Sequence, residues 1–211
     1  HNCLDDEERA RTDEIIRPVL RGRDIKKYSF EWNNLYIIAT FPSKRYDIEK
    51  YPSLKRHLLS YDKRILAQTG EKDIDGVKGR NSRKKTNNKW FETQDSIAYW
   101  DDFNKPKICW NRIASKKVFA LVPEGIYILD SMHFIIGKNL TFLCSVLNSK
   151  LMQWFLSITI GCAAGGNSGN ADNVLNLSVP EGHENIELND NDIYNLYQLK
   201  DTEIRFIENQ M

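Results

Sequence analysis

Residues 107–154 read KICWNRIASKKVFALVPEGIYILDSMHFIIGKNLTFLCSVLNSKLMQW. Four short apolar, β-branched and aromatic runs fall at Lys107 to Arg112, Val118 to Val122, Tyr127 to Leu129 and His133 to Ile136. Turn signals such as Pro123-Glu124-Gly125 separate them, so the runs read as strands. From Leu140 the period changes. Leu140, Leu143, Cys144, Leu147, Leu151 and Trp154 recur at the spacing of one helical face, and Asn139 stands where it can cap the start. Strands follow one another without a strand–helix–strand rhythm. The class is therefore α+β, with a mixed, mostly antiparallel sheet and packed helices.

Upstream, Leu35 to Thr40 is β-branched and aromatic and reads as a buried strand. Pro52 suits the first turn of a helix, and Leu54, Leu58, Ile65 and Leu66 extend one apolar face to about Ala67. Glu14 to Leu20 is a short apolar segment interrupted by Pro18, and Arg21-Gly22-Arg23-Asp24-Ile25 is a turn. Glu71 to Asn88 has almost no apolar residues besides Ile74 and Val77, which marks a long surface loop. Downstream, Gly161 to Asn176 is a Gly/Asn/Ala-rich loop, and Asp190 to Asn209 reads as one acidic helix with Ile193, Leu196, Tyr197 and Ile204 on a face.

The chain has 211 residues, 41% hydrophobic and 28% charged, enough for one or two domains with a real core. No apolar run approaches the ~18 residues of a membrane span. Cys3, Cys109, Cys144 and Cys162 form no C-x-x-C pair, which argues against zinc and suits a reducing cytoplasm. The opening His1-Asn2-Cys3, with no initiating Met, reads as a piece of a longer protein.

The net charge of +1 hides a segregation. Residues 1–14 carry −4 and residues 181–211 carry −6, so residues 15–180 hold 26 of the 30 basic and 15 of the 29 acidic residues, a net +11. This divides the chain into an acidic linker or fragment end (1–14), a basic body (15–180) and an acidic, helical C-terminal segment (181–211). A basic body points to a polyanion partner.

Its densest point is residues 78–89, where Lys78, Arg80, Arg83, Lys84, Lys85 and Lys89 occur with no acid. Self-repelling cations gain when phosphates release their condensed counterions. Asn81, Ser82, Thr86, Asn87 and Asn88 add groups able to reach phosphates or base edges. Arg21 and Arg23 with Lys26 and Lys27, and Lys44 with Arg45, form two further clusters, and Arg112 adds a cation at the end of a strand. Trp90, with Phe91, Tyr99 and Trp100, is either core or a stacking surface for an unpaired base. The candidate DNA-contacting set is thus Arg21, Arg23, Lys44, Arg45, Lys78, Arg80, Asn81, Arg83, Lys84, Lys85, Asn88, Lys89, Trp90 and Arg112.

No catalytic or metal-ligating set emerges. His57, His133 and His183 lack carboxylate partners in any triad pattern. Gly161 to Gly166 lacks the Gly-Lys-Ser/Thr ending of a phosphate loop. Neither an Asn/Asp-Pro-Pro-aromatic motif for amino methylation nor a Gly-x-Gly cofactor loop occurs. Asp24-Ile25-Lys26 has the Asp-x-Lys form of nucleases without an upstream acidic partner. A DNA reader, a basic protein-interaction module docking on an acidic partner or domain, and a free-standing nuclease are the classes in play, the last the weakest.

Three segments decide among them. Ile16-Arg17-Pro18-Val19-Leu20-Arg21-Gly22-Arg23-Asp24-Ile25 comes first. Trp90-Phe91-Glu92 follows, with Pro106-Lys107-Ile108 downstream, and then Gly125 to Asp130 leading to Leu147-Asn148-Ser149-Lys150-Leu151. This order over roughly 15–180 resembles the TaqI-like C-terminal specificity domain, the target-recognition part of fused restriction–modification enzymes and adenine-N6 DNA methyltransferases. The resemblance implies double-stranded DNA as partner and no cofactor in this fragment. It also implies a methyltransferase domain of the same parent chain, N-terminal to this one, that binds S-adenosylmethionine, with Mg where the parent also cuts DNA. The shared segments look like scaffold, and only Arg21, Gly22, Arg23 and Asp24 are polar positions that the motif itself transfers.

Overall fold

The computed structural model describes residues 3–114, 117–159, 162–163, 166–168, 174–181 and 183–211. They form two compact units, one of residues 1–18 and 36–100 and the other of residues 19–35 and 101–211. Helices combine with small mixed and antiparallel sheets, the α+β class that the strand and helix periods predict.

In the first unit, α1 (Asp6–Asp13) begins the chain. Most of the acidic stretch 1–14 is thus helical. Asp5 caps the helix by accepting from the Glu8 N–H at 2.7 Å, and Asp6, Glu7 and Glu8 place negative charge at its positive end. Glu8 is 1% exposed. Its carboxylate accepts from the backbone N–H groups of Leu4 and Ser53 and from Ser53 Oγ. The first half of β1 (Ile16–Leu20) pairs antiparallel with β2 (Tyr36–Ile38) in register Ile16↔Ile38. Strand β2 is shorter and wetter than expected, with Tyr36 57% exposed. The apolar face from Pro52 is split between α2 (Pro52–Leu59) and α3 (Lys63–Leu66), since Asp62 caps a fresh start. Ile15, Ile48, Tyr51, Leu54, Leu58 and Phe91 make the core of this unit.

In the second unit, the other half of β1 pairs parallel with β6 (Tyr127–Ile128). Strand β3 (Lys107–Asn111) lies between β5 (Phe119–Val122) and β7 (Met132–Ile135), antiparallel to both, while β4 (Ile113–Ala114) joins β9 (Gly166–Ser168), which pairs β8 (Cys162–Ala163). The remainder of the Gly161–Asn176 loop lies largely outside the described residues, as does Lys116. Lys117, which looks like part of a surface turn, is 3% exposed, with Nζ donating to the carbonyls of Asn111 and Arg112. Cys109 and Cys144 are core residues whose thiols are pushed up by burial, to about 12 and about 11.

The expected single helix is two: α4 (Leu140–Asn148) and α5 (Lys150–Thr159). Ser149 is extended (φ −65°, ψ 155°), and its Oγ accepts from the Met152 N–H. Asn139 does not cap α4; Asn185 Oδ1 accepts from Thr141 N–H at 2.8 Å instead. The C-terminal segment is likewise α6 (Asp190–Leu196) and α7 (Asp201–Glu208), parted by Gln198 at φ +54°. Leu151, Ile193, Tyr194 and Ile207 pack these helices together.

Asn148, 1% exposed, clasps β5: its Oδ1 accepts from Phe119 N–H at 3.1 Å and its Nδ2 donates to Phe119 O at 2.8 Å. Asn148→Ala leaves a buried N–H unpaired and should cost roughly 2–3 kcal/mol in a denaturant titration; an unchanged midpoint would contradict the clasp. Hydrogen bonds, first from Leu4 N–H, hold the Glu8 carboxyl below its ordinary value. The unfolded chain therefore binds the proton more tightly, and this contribution, full above about pH 4.5, is lost as pH falls through the lowered value. Glu8→Gln should flatten the drop in melting temperature between about pH 6 and about pH 3.

Candidate nucleic-acid interface

The basic loop of the first unit is built as a ribbon. Backbone bonds run from Arg83 N–H to Ala67 O, Gly70 N–H to Arg83 O, Ser82 N–H to Glu71 O, Ile74 N–H to Arg80 O and Thr86 N–H to Gln68 O, at 2.8 to 3.1 Å. Ile74, 1% exposed, anchors the tip. Asp73, Asp75, Gly76 and Gly79 turn the chain there with positive φ. Asp73 Oδ1 accepts from Gly79 N–H, and Asn81 Oδ1 accepts from Asp73 N–H.

The six cations of residues 78–89 separate into two kinds. Arg83 points inward: its Nε donates to Leu66 O at 2.7 Å, Nη1 to Glu92 O at 2.8 Å and Nη2 to Trp90 O. Burial pushes its pKa down, but a guanidinium stays charged at any working pH. Arg80 is held by Asp62 and Asp75, which also hold Arg64 in a two-by-two ion network at 2.5 to 3.2 Å. Hydrogen bonds from Arg64 lower the carboxyls of both aspartates. By contrast, Lys78, Lys84, Lys85 and Lys89 are exposed. Lys78 sits on the tip beside Asp73 and Asp75. Lys84 and Lys85 have no polar partner among the described residues.

Other candidates divide the same way. Asn88 is spent internally, its Nδ2 donating to Thr93 O and Gln94 O. Trp90 packs on the core of the unit with Lys63 over its ring, which favours its core role. Lys44 and Arg45 are exposed, Lys44 with Nζ 3.3 Å from the Trp100 ring centroid and Arg45 in the left-handed region at φ 52°. Lys89 Nζ donates to Tyr46 O at 3.3 Å. That contact brings the Lys44-Arg45 cluster beside the end of the basic loop, a juxtaposition across some 43 residues that sequence spacing does not show.

The second unit holds Arg21, Arg23 and Arg112. Arg21 is structural: Nε and Nη2 donate to the Asp24 carboxylate at 3.1 and 2.9 Å, and its backbone N–H donates to the same group. Asp24 is 2% exposed, accepts also from Asn33, and is held below the ordinary carboxylate range chiefly by Arg21. Gly22 permits close packing, since a Cβ there would lie 1.7 Å from Asn111 Oδ1 while Asn111 Nδ2 donates to Gly22 O. Arg23 and Arg112 are exposed.

The family model of the TaqI-like C-terminal specificity domain matches residues 17–161, most of the chain. This protein belongs to that family. Its members supply DNA sequence specificity in restriction–modification enzymes. No curated protein matches the chain. Within the TaqI-like match, the motif residues do scaffold work: Arg21, Gly22 and Asp24 fix a turn and Asn148 clasps a strand. Among the described residues, no helix is long and apolar enough to cross a membrane.

The division between engaged arginines and outward lysines has a direct test. Arg83→Ala should lower the unfolding free energy by roughly 2–4 kcal/mol, because three carbonyls lose a charged donor. Lys84→Ala and Lys85→Ala should stay within about 0.5 kcal/mol of the parent chain. Equal losses for all three in urea titrations would contradict the division.

Proposed function

We propose that this chain is the target-recognition domain of a bacterial restriction–modification or adenine-N6 methyltransferase protein, and that it binds double-stranded DNA sequence-specifically. Catalysis belongs to a methyltransferase domain of the same parent chain, which takes S-adenosylmethionine, with Mg where that parent also cleaves. One observation carries the reading. In a TaqI-like specificity domain, the first unit keeps Lys84, Lys85 and Lys89 exposed, with Lys44 and Arg45 adjoining through the Lys89–Tyr46 contact. Arg80 and Arg83 hold the ribbon that displays these lysines and are themselves engaged.

Cations placed on phosphates release condensed counterions. With Lys44, Arg45, Lys84, Lys85 and Lys89 on phosphates, log affinity for duplex DNA should fall with log salt at a slope of about −4.5. Replacing Lys84, Lys85 and Lys89 together by Ala should reduce that slope by roughly 2.7 while leaving the fold intact. A slope indifferent to the triple substitution, or retention of an acidic polymer as tight as that of DNA, would refute the assignment in favour of a protein-docking role.

A further inference from the structure

Uncharged polar side chains are dense in residues 67–93, and nearly all are spent inside the unit. Gln68 Oε1 accepts from Thr86 Oγ1 at 2.6 Å, while Gln68 Nε2 donates to the carbonyls of Lys89 and Glu92. Thr69 Oγ1 donates to Ser82 Oγ. Asn81 and Asn88 hold backbone groups, and Arg80 and Arg83 are engaged. Asn87 differs: it is exposed, and its amide has no partner among the described residues. Its neighbours are pinned, Thr86 N–H on Gln68 O at 3.1 Å and Asn88 N–H on Thr86 Oγ1 at 3.0 Å. The free amide is thus presented from a held backbone.

Charge selects the edge that a polyanion meets. At the tip, Lys72 and Lys78 stand beside Asp73 and Asp75, so the tip is neutral before Arg80 is counted. Residues 84–89 carry Lys84, Lys85 and Lys89 with no acid. Phosphates are drawn to the second edge and not to the tip.

We infer that the 84–89 edge faces the duplex and that Asn87 is its base-reading residue. This rests on the DNA-recognition reading above. A carboxamide presents donor and acceptor side by side, which matches the N6 and N7 of adenine in the major groove. Lys84 and Lys85 before it and Lys89 after it grip phosphates, and such contacts fix position without carrying sequence information. The short Asn side chain reaches a base edge only when the backbone comes close, and these flanking lysines bring it there.

The test uses the 211-residue chain and a fully randomised duplex pool at low salt, with the retained duplexes sequenced. The parent chain should enrich a motif containing an A·T pair. Asn87→Ala should lose preference at that pair by roughly tenfold or more, with its affinity for the unselected pool and its salt slope unchanged. Val77→Ser, on the exposed tip, should keep the motif. An Asn87→Ala variant that enriches the parent's motif undiminished, or a Val77→Ser variant that alters it, overturns the inference. Retention of duplex with no motif enriched by the parent chain also overturns it while leaving DNA binding standing. Failure of the parent chain to retain duplex at all overturns the DNA-recognition reading itself.

Discussion

Phe119 has its backbone N–H and one lone pair of its carbonyl taken by a single side chain, the Asn148 amide, at 3.1 and 2.8 Å. The same carbonyl also accepts from Tyr28 N–H. This is a general constraint on the molecule in local form. Among the described residues its strands have two to five residues, and long irregular connections join them. Such a chain buries backbone groups that no ladder reaches, and each unpaired group costs about 1–3 kcal/mol. Side chains supply the missing partners. Gln68 and Arg83 serve the carbonyls of Leu66, Lys89, Trp90 and Glu92 in the first unit. Lys107, fully buried, serves Phe103 and Pro123, and Lys117 serves Asn111 and Arg112 in the second. Burial pushes both lysines toward a lower pKa, a measure of what it costs to keep an ammonium among carbonyls.

That constraint explains which parts of the fold are legible in the sequence. Strands β3, β5, β6 and β7 stand out because apolar runs bounded by turn residues are a local signal. Helix breaks do not. The three- and four-residue spacing of Leu140 to Trp154 runs unbroken across Ser149, and nothing in periodicity records that Asn148 is bound to a strand 29 residues away. The cap of α4 comes from Asn185, 44 residues from Thr141, so the adjacent Asn139 is a misleading cue. Residues 1–14 read as an acidic linker or fragment end because charge dominates their composition, whereas Glu8 is buried and accepts from Ser53 on α2.

The candidate interface shows the same limit. Six cations between residues 78 and 89 are legible as a cluster, but a count of charges treats arginine and lysine alike. The two residues differ in what they do best. A planar guanidinium with five donors can serve several carbonyls or carboxylates at once, whereas an ammonium on a flexible stem is strongly hydrated and favours water or a polyanion. Arg80 and Arg83 are the engaged pair, and Lys84, Lys85 and Lys89 are the exposed set. Residue type is therefore the sequence signal that could have divided the cluster. The signal is partial, since Arg23, Arg45 and Arg112 are exposed too.

Holding lysines on a braced ribbon has an energetic consequence. Like charges close together repel, and a mobile loop would spread them apart and then lose chain entropy on meeting a partner. Here the Asp62–Arg64–Asp75–Arg80 network, the backbone ladder and the Arg83 contacts confine that loop before any partner arrives. Part of the ordering entropy is thereby removed from association. The repulsion is retained in the free domain and, in the proposed complex, would be relieved by phosphates neutralising the lysines. The arginine contacts and the exposed lysines are thus two halves of one arrangement: the former suppress the motion that would let the latter escape one another.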